Sequence, residues 1–366
     1  MKIGILKEQA DKRVAITPDL AKKLIDEGNT IIAEKGCGNL SFYGDQLYVG
    51  AGVEMADRKP VLKSAELLTT IQPLEKGDLA LLQKEVIYIS MFQPFNSLDK
   101  TNEINDLGLT AFSMDMIPRI TRAQSMDVLS SMASIAGYKA VLQAANILPR
   151  YFPMLTTAAG SIPPAKVLVL GAGVAGLQAV ATAKRLGSVV EAFDTRAAAK
   201  EECESLGARF VEVEGAKDDV AAGGYAVEQT DDYKQKQRQL ILDHASKSDV
   251  IITTAQLRGK PAPLLITKQA VENMKPGSVI VDLASSTGGN CELTEDQKTV
   301  IKYEVNIIGN SDLAGEIPMH ASQLYGKNFY NFIKLFLKEG KHEFDWEDEI
   351  IKSSCIANNG EIYFGK

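Results

Sequence analysis

The sequence predicts an α/β protein of two doubly wound, parallel-sheet domains joined by a long helix. Three observations carry that prediction. The chain has 366 residues, more than one ordinary hydrophobic core organises, so two domains are expected. Short apolar runs alternate with amphipathic segments in two successive sets, the pattern of βαβ units around a parallel sheet. Between the sets, Thr121–Leu148 is free of proline and rich in Ala, Leu, Met and Gln; it reads as one helix that Pro149 ends. The expected domains are residues 1–125 with 312–366, a discontinuous first unit, and residues 126–311, the second.

The elements follow in order. In the first set the apolar runs are Lys2–Leu6, Thr30–Glu34, Leu67–Ile71, Val86–Met91 and Thr110–Ser113. Between them Thr17–Glu27 is an amphipathic helix, with Thr17 as cap and Pro18 in the first turn. After the long helix, Pro153–Pro164 reads as a linker. The second set comprises Lys166–Leu170, Val189–Phe193, Arg209–Val213, Val250–Thr253, Ser278–Asp282 and Asn306–Ile308. Within it, Gly215–Gln237 is polar, aperiodic and long for a connection, which marks it as functional or mobile. Ser322–Lys338 reads as a helix that returns to the first domain.

Composition narrows the function. The chain is 45% hydrophobic and 24% charged with a net charge of -7, as expected of a soluble globular protein and not of a nucleic-acid binder, which needs a basic face. Four scattered cysteines, Cys37, Cys203, Cys291 and Cys355, suggest reduced thiols in a cytosolic setting. His244, His320 and His342 form no ligand spacing, so no metal is expected. The opening Met-Lys-Ile-Gly-Ile-Leu is too short and too soon interrupted by charge for a signal peptide. Val167–Ala183 carries no charge, but its glycines, Gln178 and Thr182 make it a buried strand, turn and helix rather than one of the roughly 20-residue spans that cross a membrane.

The strongest motif lies there. Residues 166–196 read KVLVLGAGVAGLQAVATAKRLGSVVEAFDTR. A buried strand runs straight into Gly171-x-Gly173-x-x-Gly176 and a helix continues to Leu186. This is a Rossmann-like fingerprint. The first glycine permits the tight turn, the second lets a pyrophosphate approach the backbone, and the third lets helix and strand pack closely. Val174 and Ala175, between the glycines, open the helix whose free amides face the phosphates. Asp194 closes the next strand 18 residues past Gly176, where an acid accepts hydrogen bonds from the adenosine ribose. A carboxylate there repels a 2′-phosphate, so NAD(H) is favoured over NADP(H). Thr195 and Arg196 follow it; Arg196 pulls the other way, unless it only contacts adenine or solvent. Thr253 and Ala255 close another strand, where backbone contact with a ligand is expected in open α/β sheets. The plain alternative is a glycine turn in a fold that has lost its cofactor.

A second constellation is PRITRAQSMDVLSS, Pro118 to Ser131. Arg119 precedes the long helix, and Gln124, Asp127 and Ser130 follow at spacings of three, which places them along one helix face. An amide, a carboxylate and a hydroxyl suit a nicotinamide carboxamide. The same residues also read as a solvated helix start, with Thr121 or Ser125 as cap and Asp127 near the positive end of the dipole.

RITRAQSMDVLSS, GYKAV, TTAAGSIPPAKVLVLGAGVAGLQA, GGYA, KPAPLLI and VDLASSTGGN together resemble the NAD(H)-binding domain of proton-translocating nicotinamide nucleotide transhydrogenases. The likeness spans essentially the whole chain and is nearest to the soluble alpha subunit of the three-chain bacterial form. It implies a homodimer that binds NAD(H) and docks on the NADP(H)-binding domain of a separate beta subunit. Hydride then passes between the two nicotinamides, coupled to proton passage through membrane subunits, among them a small membrane alpha subunit. The chain itself would be cytoplasmic, peripheral on the inner face of the membrane. The resemblance further implies that Arg119, Asp127 and Ser130 hold the carboxamide, that Gln124 bridges toward the partner's nucleotide, and that Tyr225 belongs to a mobile lid. The chain departs from the pattern in DLASSTGGN, where relatives often carry an acid near Ser286 and Ser285, Ser286 and Thr287 stand here.

Alanine dehydrogenases share the N-terminal look of MKIGILKE and RVAITP, and there Lys7 and Arg13 would contact a substrate carboxylate. That group relies on a lysine in a KEP-like motif and a histidine some twenty residues later. Here the positions read Ile71-Gln72-Pro73 and Met91-Phe92-Gln93-Pro94, and without an acid or base reductive amination is not expected. Arg13 is expected instead to pair with an acid such as Glu8. A non-catalytic NAD(H)-binding module is the remaining alternative.

Overall fold

The computed structural model describes residues 1–213 and 230–364. It divides into two compact units, Met1–Met132 with Gly315–Lys366, and Ala133–Ala314.

Unit 1 opens with strands β1 (Lys2–Ile5), β2 (Thr30–Glu34), β3 (Glu54–Ala56), β4 (Leu67–Thr69), β5 (Ile87–Ser90) and β6 (Thr110–Ser113). Helices α1 (Pro18–Asp26), α2 (Asp45–Gly50), α3 (Arg58–Ser64), α4 (Lys76–Leu79) and α5 (Asp99–Asp106) connect them. The chain passes into unit 2 within α6 (Val128–Ile147). Unit 2 holds strands β7 (Leu155–Thr157), β8 (Gly160–Ile162), β9 (Lys166–Leu170), β10 (Val189–Phe193), β11 (Arg209–Phe210), β12 (Val250–Thr253), β13 (Val279–Asp282), β14 (Lys298–Lys302) and β15 (Val305–Gly309). Its helices are α7 (Val174–Arg185), α8 (Ala198–Ser205), α9 (Asp231–Ala245) and α10 (Lys268–Glu272). Unit 1 is completed by α11 (Pro318–Ile333), β16 (Leu337–Lys338), β17 (Lys341–His342), α12 (Glu349–Ser354), β18 (Cys355–Asn358) and β19 (Glu361–Ile362).

Both units are doubly wound. The strand order in unit 1 is β19-β18-β6-β5-β4-β1-β2-β3, and in unit 2 it is β11-β10-β9-β12-β13-β15-β14. Six strands in each are mutually parallel; β18 and β14 run antiparallel to them, and β19 pairs antiparallel with β18. Burial on both faces is what makes the strands continuous apolar runs. In unit 2, Val167 and Val169 of β9 pack with Ala140, Val141 and Ala144 of α6 and Ala179, Val180 and Ala183 of α7. The alternate residues Leu168 and Leu170 join Ile241 of α9 and Val271 of α10 on the other face. In unit 1, Phe112 of β6 meets Phe332 of α11 at 5.5 Å and Phe336 at 5.7 Å.

Three expectations need correction. The segment from Thr121 to Leu148 is not one helix: Thr121–Met126 is a 3₁₀ turn, Asp127 is extended (φ -75°, ψ 94°), and α6 starts at Val128. The C-terminal helix runs over Pro318–Ile333 rather than Ser322–Lys338, because Pro318 supplies the first turn and Leu337–Lys338 turn back to pair with Lys341–His342. The stretch expected as a linker contains the β7–β8 hairpin.

Arg13 pairs with an acid, as expected, and that acid is Asp11. Its Nε donates to Asp11 Oδ1 at 2.8 Å and its Nη2 to Oδ2, with both side chains buried. The Glu8 carboxylate accepts the amides of Ile71 (2.7 Å) and Gln72 (3.2 Å), just past the end of β4. Burial pushes the Glu8 carboxyl from its ordinary 4.5 up to about 7, against the pull of the two amides; Asp11 adds to the rise and Arg13 opposes it.

A raised acid makes the folded state hold a proton that the unfolded chain releases. Stability tied to Glu8 is therefore fully present below about pH 4.5 and lost as pH rises through about 7. The thermal midpoint of the wild-type chain is expected to fall across that window, and Glu8→Gln is expected to flatten the slope. Identical slopes in the two melting series would assign the pH dependence to other groups.

Candidate functional site

In unit 2, β10 and β12 flank β9, so the connections leave the central strand in opposite directions. A crevice opens at such a switch point, outside the carboxyl ends of the strands. Leu170 ends β9 beside Phe193 and Thr253, and Gly171-x-Gly173-x-x-Gly176 begins there. Each glycine has a separate physical cause. Gly171 has φ +96°, and a Cβ on it would lie 2.6 Å from Thr254 Oγ1. A Cβ on Gly176 would lie 1.8 Å from the Gly171 carbonyl oxygen. A Cβ on Gly173 would meet nothing within 4 Å, so there the backbone faces open space. Gly173 caps α7, whose first-turn amides have no acceptors within the helix. Val174 is exposed and Ala175 half-buried beside it. The residues thus fit a dinucleotide: two glycines are demanded by packing, and the third leaves room for a phosphate at a helix N-terminus.

Asp194 follows the end of β10 and reaches back to this turn. Its Oδ2 accepts the Ala172 amide at 2.7 Å and Nη2 of Arg196 at 2.8 Å. Its Oδ1 accepts the Arg196 amide and Nε, both at 2.9 Å. Burial pushes the carboxyl up, but the Arg196 guanidinium and the two amides outweigh it and hold it below the usual value. The group is thus an anion at neutral pH, placed against the glycine turn. Thr195 is half-buried next to it.

Across the crevice the chain after β12 is tied down by residues that motif reading missed. Thr254 donates its amide to Leu170 O and its hydroxyl to Gly171 O, both at 2.9 Å. Thr253 is fully buried, and its hydroxyl donates to Asp282 Oδ1 at 3.0 Å. Asp282 also accepts the amides of Ala284 and Cys291 at 3.0 Å and the Thr294 hydroxyl at 2.8 Å. Buried Asn290 clamps Ala255: its Oδ1 accepts the Ala255 amide at 3.0 Å, and its Nδ2 donates to Ala255 O and to Pro263 O at 2.8 Å. The polar groups of Thr253 and Ala255, expected to face a ligand, thus carry bonds within the protein. The available signal was Asp282 ending an apolar run and Gly288-Gly289-Asn290 just after it. In that loop Ser286 is exposed, and Ser285 donates to Asp296 at 2.7 Å.

The other predicted set lies in unit 1. Ala123 and Met126 turn inward, while Asn328 and Asn331 of α11 donate to Ser125 O at 2.8 and 3.1 Å. Arg119 and Gln124 are thereby left exposed on the anchored segment. Asp127 caps α6: its Oδ1 accepts the Ser130 amide at 2.9 Å and its Oδ2 the Ser130 hydroxyl at 2.6 Å. The cap is Asp127, not Thr121 or Ser125. Asp127 and Ser130 are joined directly; Gln124 stands on the 3₁₀ turn and not on a shared helix face. Tyr225 and residues 215–229 of the expected lid lie outside the described residues; Asp231–Gln237, expected as part of the same aperiodic connection, instead form the start of α9. Among the described residues, no group of three or more His, Cys, Asp or Glu side chains is placed to hold a metal, and no helix is long and apolar enough to cross a membrane.

Two family models match the chain: alanine dehydrogenase/PNT, N-terminal domain, over residues 4–136, and alanine dehydrogenase/PNT, C-terminal domain, over residues 140–365. The chain is 42% identical over 374 aligned positions to the first part of the NAD(P) transhydrogenase subunit alpha of Rhodospirillum rubrum, covering 99% of this chain and 97% of that protein. The solved transhydrogenase from Sinorhizobium meliloti superimposes with a TM-score of 0.91 at 39% identity, covering 99% of this chain and all of that one. An L-alanine dehydrogenase structure shares the fold, with a TM-score of 0.80 at 23% identity over 99% of this chain and 96% of that one.

The Asp194 geometry generates a prediction. Asp194→Ala is expected to weaken NADH binding about tenfold or more and to narrow the preference over NADPH, as loss of hydrogen bonds to a charged acceptor requires. Calorimetric titration checks it, and unchanged affinity for both dinucleotides removes the ribose role.

Proposed function

The chain belongs to the alanine dehydrogenase/PNT family, among the NAD(P) transhydrogenase alpha subunits, and we propose that it is the NAD(H)-binding half of a two-protein hydride-transfer reaction. The observation that carries the reading is the glycine turn of unit 2: packing demands Gly171 and Gly176, Gly173 opens on free space, and Asp194 is bonded to the turn. Bound NAD(H) supplies the carbon that gives or takes the hydride. The chain's task is to hold that dinucleotide in one orientation.

In this reading Gly171, Gly173, Val174, Ala175 and Gly176 receive the pyrophosphate. Asp194 takes the ribose hydroxyls, with Thr195 and Arg196 at the adenosine end and Thr253 and Ala255 along the crossing strand. Arg119, Asp127 and Ser130 hold the carboxamide, and Gln124 reaches toward the partner's nucleotide. Tyr225 contributes to a lid that excludes water. None of these roles needs a general acid or base, because both reacting centres belong to cofactors. Catalysis is then a matter of proximity and orientation. The second nucleotide, NADP(H), sits on a beta subunit; a small membrane alpha subunit and a second copy of this chain complete the assembly, which couples transfer to proton passage. The chain is peripheral, on the cytoplasmic face.

The amino-acid dehydrogenase alternative finds less support. Ile71-Gln72-Pro73 and Met91-Phe92-Gln93-Pro94 contain neither the lysine nor the histidine that chemistry needs, and Arg13 is already gripped by Asp11 through two bonds. Freeing it for a substrate carboxylate would leave Asp11 buried and unpaired.

The test mixes the chain with an NADP(H)-binding domain from a transhydrogenase beta subunit and follows NADPH-dependent reduction of an NAD analogue optically. Fast transfer that needs both proteins is expected. Intact NADH binding with no transfer would overturn the half-enzyme reading in favour of a binding module. Asp127 offers a second check, because asparagine caps helices about as well as aspartate. Asp127→Asn is expected to leave the melting midpoint nearly unchanged and to slow transfer by about tenfold or more. Loss of stability and rate together would reduce Asp127 to a cap.

A further inference from the structure

A carboxylate offers about four acceptor positions. In unit 2 all four positions of Asp194 are taken. Two belong to backbone amides, of Ala172 at 2.7 Å and of Arg196 at 2.9 Å. The other two belong to the Arg196 side chain, Nε at 2.9 Å and Nη2 at 2.8 Å. The amides are fixed by the turn and the strand end. The guanidinium sits on a flexible stem, and the Arg196 side chain is 24% exposed where that of Asp194 is 8% exposed, so it is the group that can leave.

A ribose with adjacent 2′ and 3′ hydroxyls brings two donors and needs two acceptor positions on one carboxylate. Resting on the reading of unit 2 as an NAD(H) site, we propose that the Arg196 guanidinium is an internal stand-in for that diol: it holds the two displaceable positions of Asp194, gives them up when NADH binds, and as counter-ion sets how strongly the site rejects a 2′-phosphate.

The two consequences have opposite signs for the two dinucleotides. For NADH, the diol must displace a planar fork that makes two charge-assisted bonds, so affinity is lower than an unoccupied carboxylate in the same place would give. For NADPH, the 2′-phosphate meets a carboxylate that would repel it, but the displaced guanidinium remains within one side-chain length and pairs with phosphate well. Arg196 therefore lowers affinity for NADH and softens the penalty on NADPH. A residue that merely braced the turn would shift both affinities in the same direction.

The experiment titrates the full chain with NADH and with NADPH by calorimetry, for wild type, Arg196→Met and Arg196→Lys. Methionine keeps much of the stem and removes the charge and the fork; lysine keeps the charge and removes the fork. For Arg196→Met, NADH binding is expected to tighten about three- to tenfold and NADPH binding to weaken, so that their ratio widens by more than about tenfold. For Arg196→Lys, NADH is expected to bind more tightly than to wild type, with NADPH affinity held near the wild-type value. Weaker NADH binding to Arg196→Met would make Arg196 a direct ligand contact and overturn the proposal, as would an unchanged ratio. If Arg196→Met does not fold, Arg196→Lys decides alone: NADH affinity equal to or below wild type overturns it. Wild-type protein that binds NADH while the variants fail these expectations sinks this inference only, whereas wild-type protein that binds neither dinucleotide removes the reading of unit 2 and this inference together.

Discussion

In unit 2 the chain leaving β12 has to cross the open end of β9 within hydrogen-bond distance of the glycine turn. Thr254 makes that contact through its amide to Leu170 and its hydroxyl to Gly171, and leaves no room there for a side chain on Gly171. A crossing this close needs its polar groups paired on the protein side, because both sheet faces are buried and an unpaired group there costs about 1–3 kcal/mol. Asn290 and Asp282 meet the requirement. One clamps Ala255 from both its amide and its carbonyl, and the other gathers Thr253, Thr294 and two amides of the next loop onto one carboxylate. The shape of the glycine turn therefore depends on side chains far downstream of it in the chain.

The sequence is most legible where one physical cause dominates. Strands buried on both faces must be apolar throughout, so β1, β2, β9, β10, β12 and β13 stand out as runs. The glycine turn stands out because sterics permit nothing else at Gly171 and Gly176. The edge strands β3, β14 and β19 do not, since none of their residues is buried and they pair through backbone that carries no residue signature. The spacing Asp127-x-x-Ser130 is ambiguous for a different reason. Three residues separate neighbours on a helix face, and three also separate an N-cap from the amide it accepts. Ala123 and Met126 turn inward and α11 anchors the Ser125 carbonyl, a constraint set by residues distant in the chain, and this decides in favour of the cap. The run that holds Asn290 is visible in the sequence, but its clamping role is not, because its partners are main-chain atoms of Ala255 and Pro263.

Both units have the strand order that opens a crevice beside the first strand, yet they treat it differently. In unit 1 the residues after β1 are Leu6, Lys7 and Glu8, without a glycine turn, and the Glu8 carboxylate itself accepts the amides at the end of β4. Tyr325 fills in behind, its hydroxyl donating to Thr70 O at 3.0 Å. The protein's own side chains thus occupy the place where a ligand would meet those amides, and a carboxyl so deeply buried holds its proton up to about pH 7. In unit 2 the carboxylate at the crevice is Asp194, from the end of β10; it has an arginine beside it and stays ionised, and the turn it braces opens on free space at Gly173. The difference is one of solvation and partners, not of topology. A shared strand order therefore marks where a ligand can bind, and the charge state and backbone openness at that edge decide which of the two units is equipped to bind one.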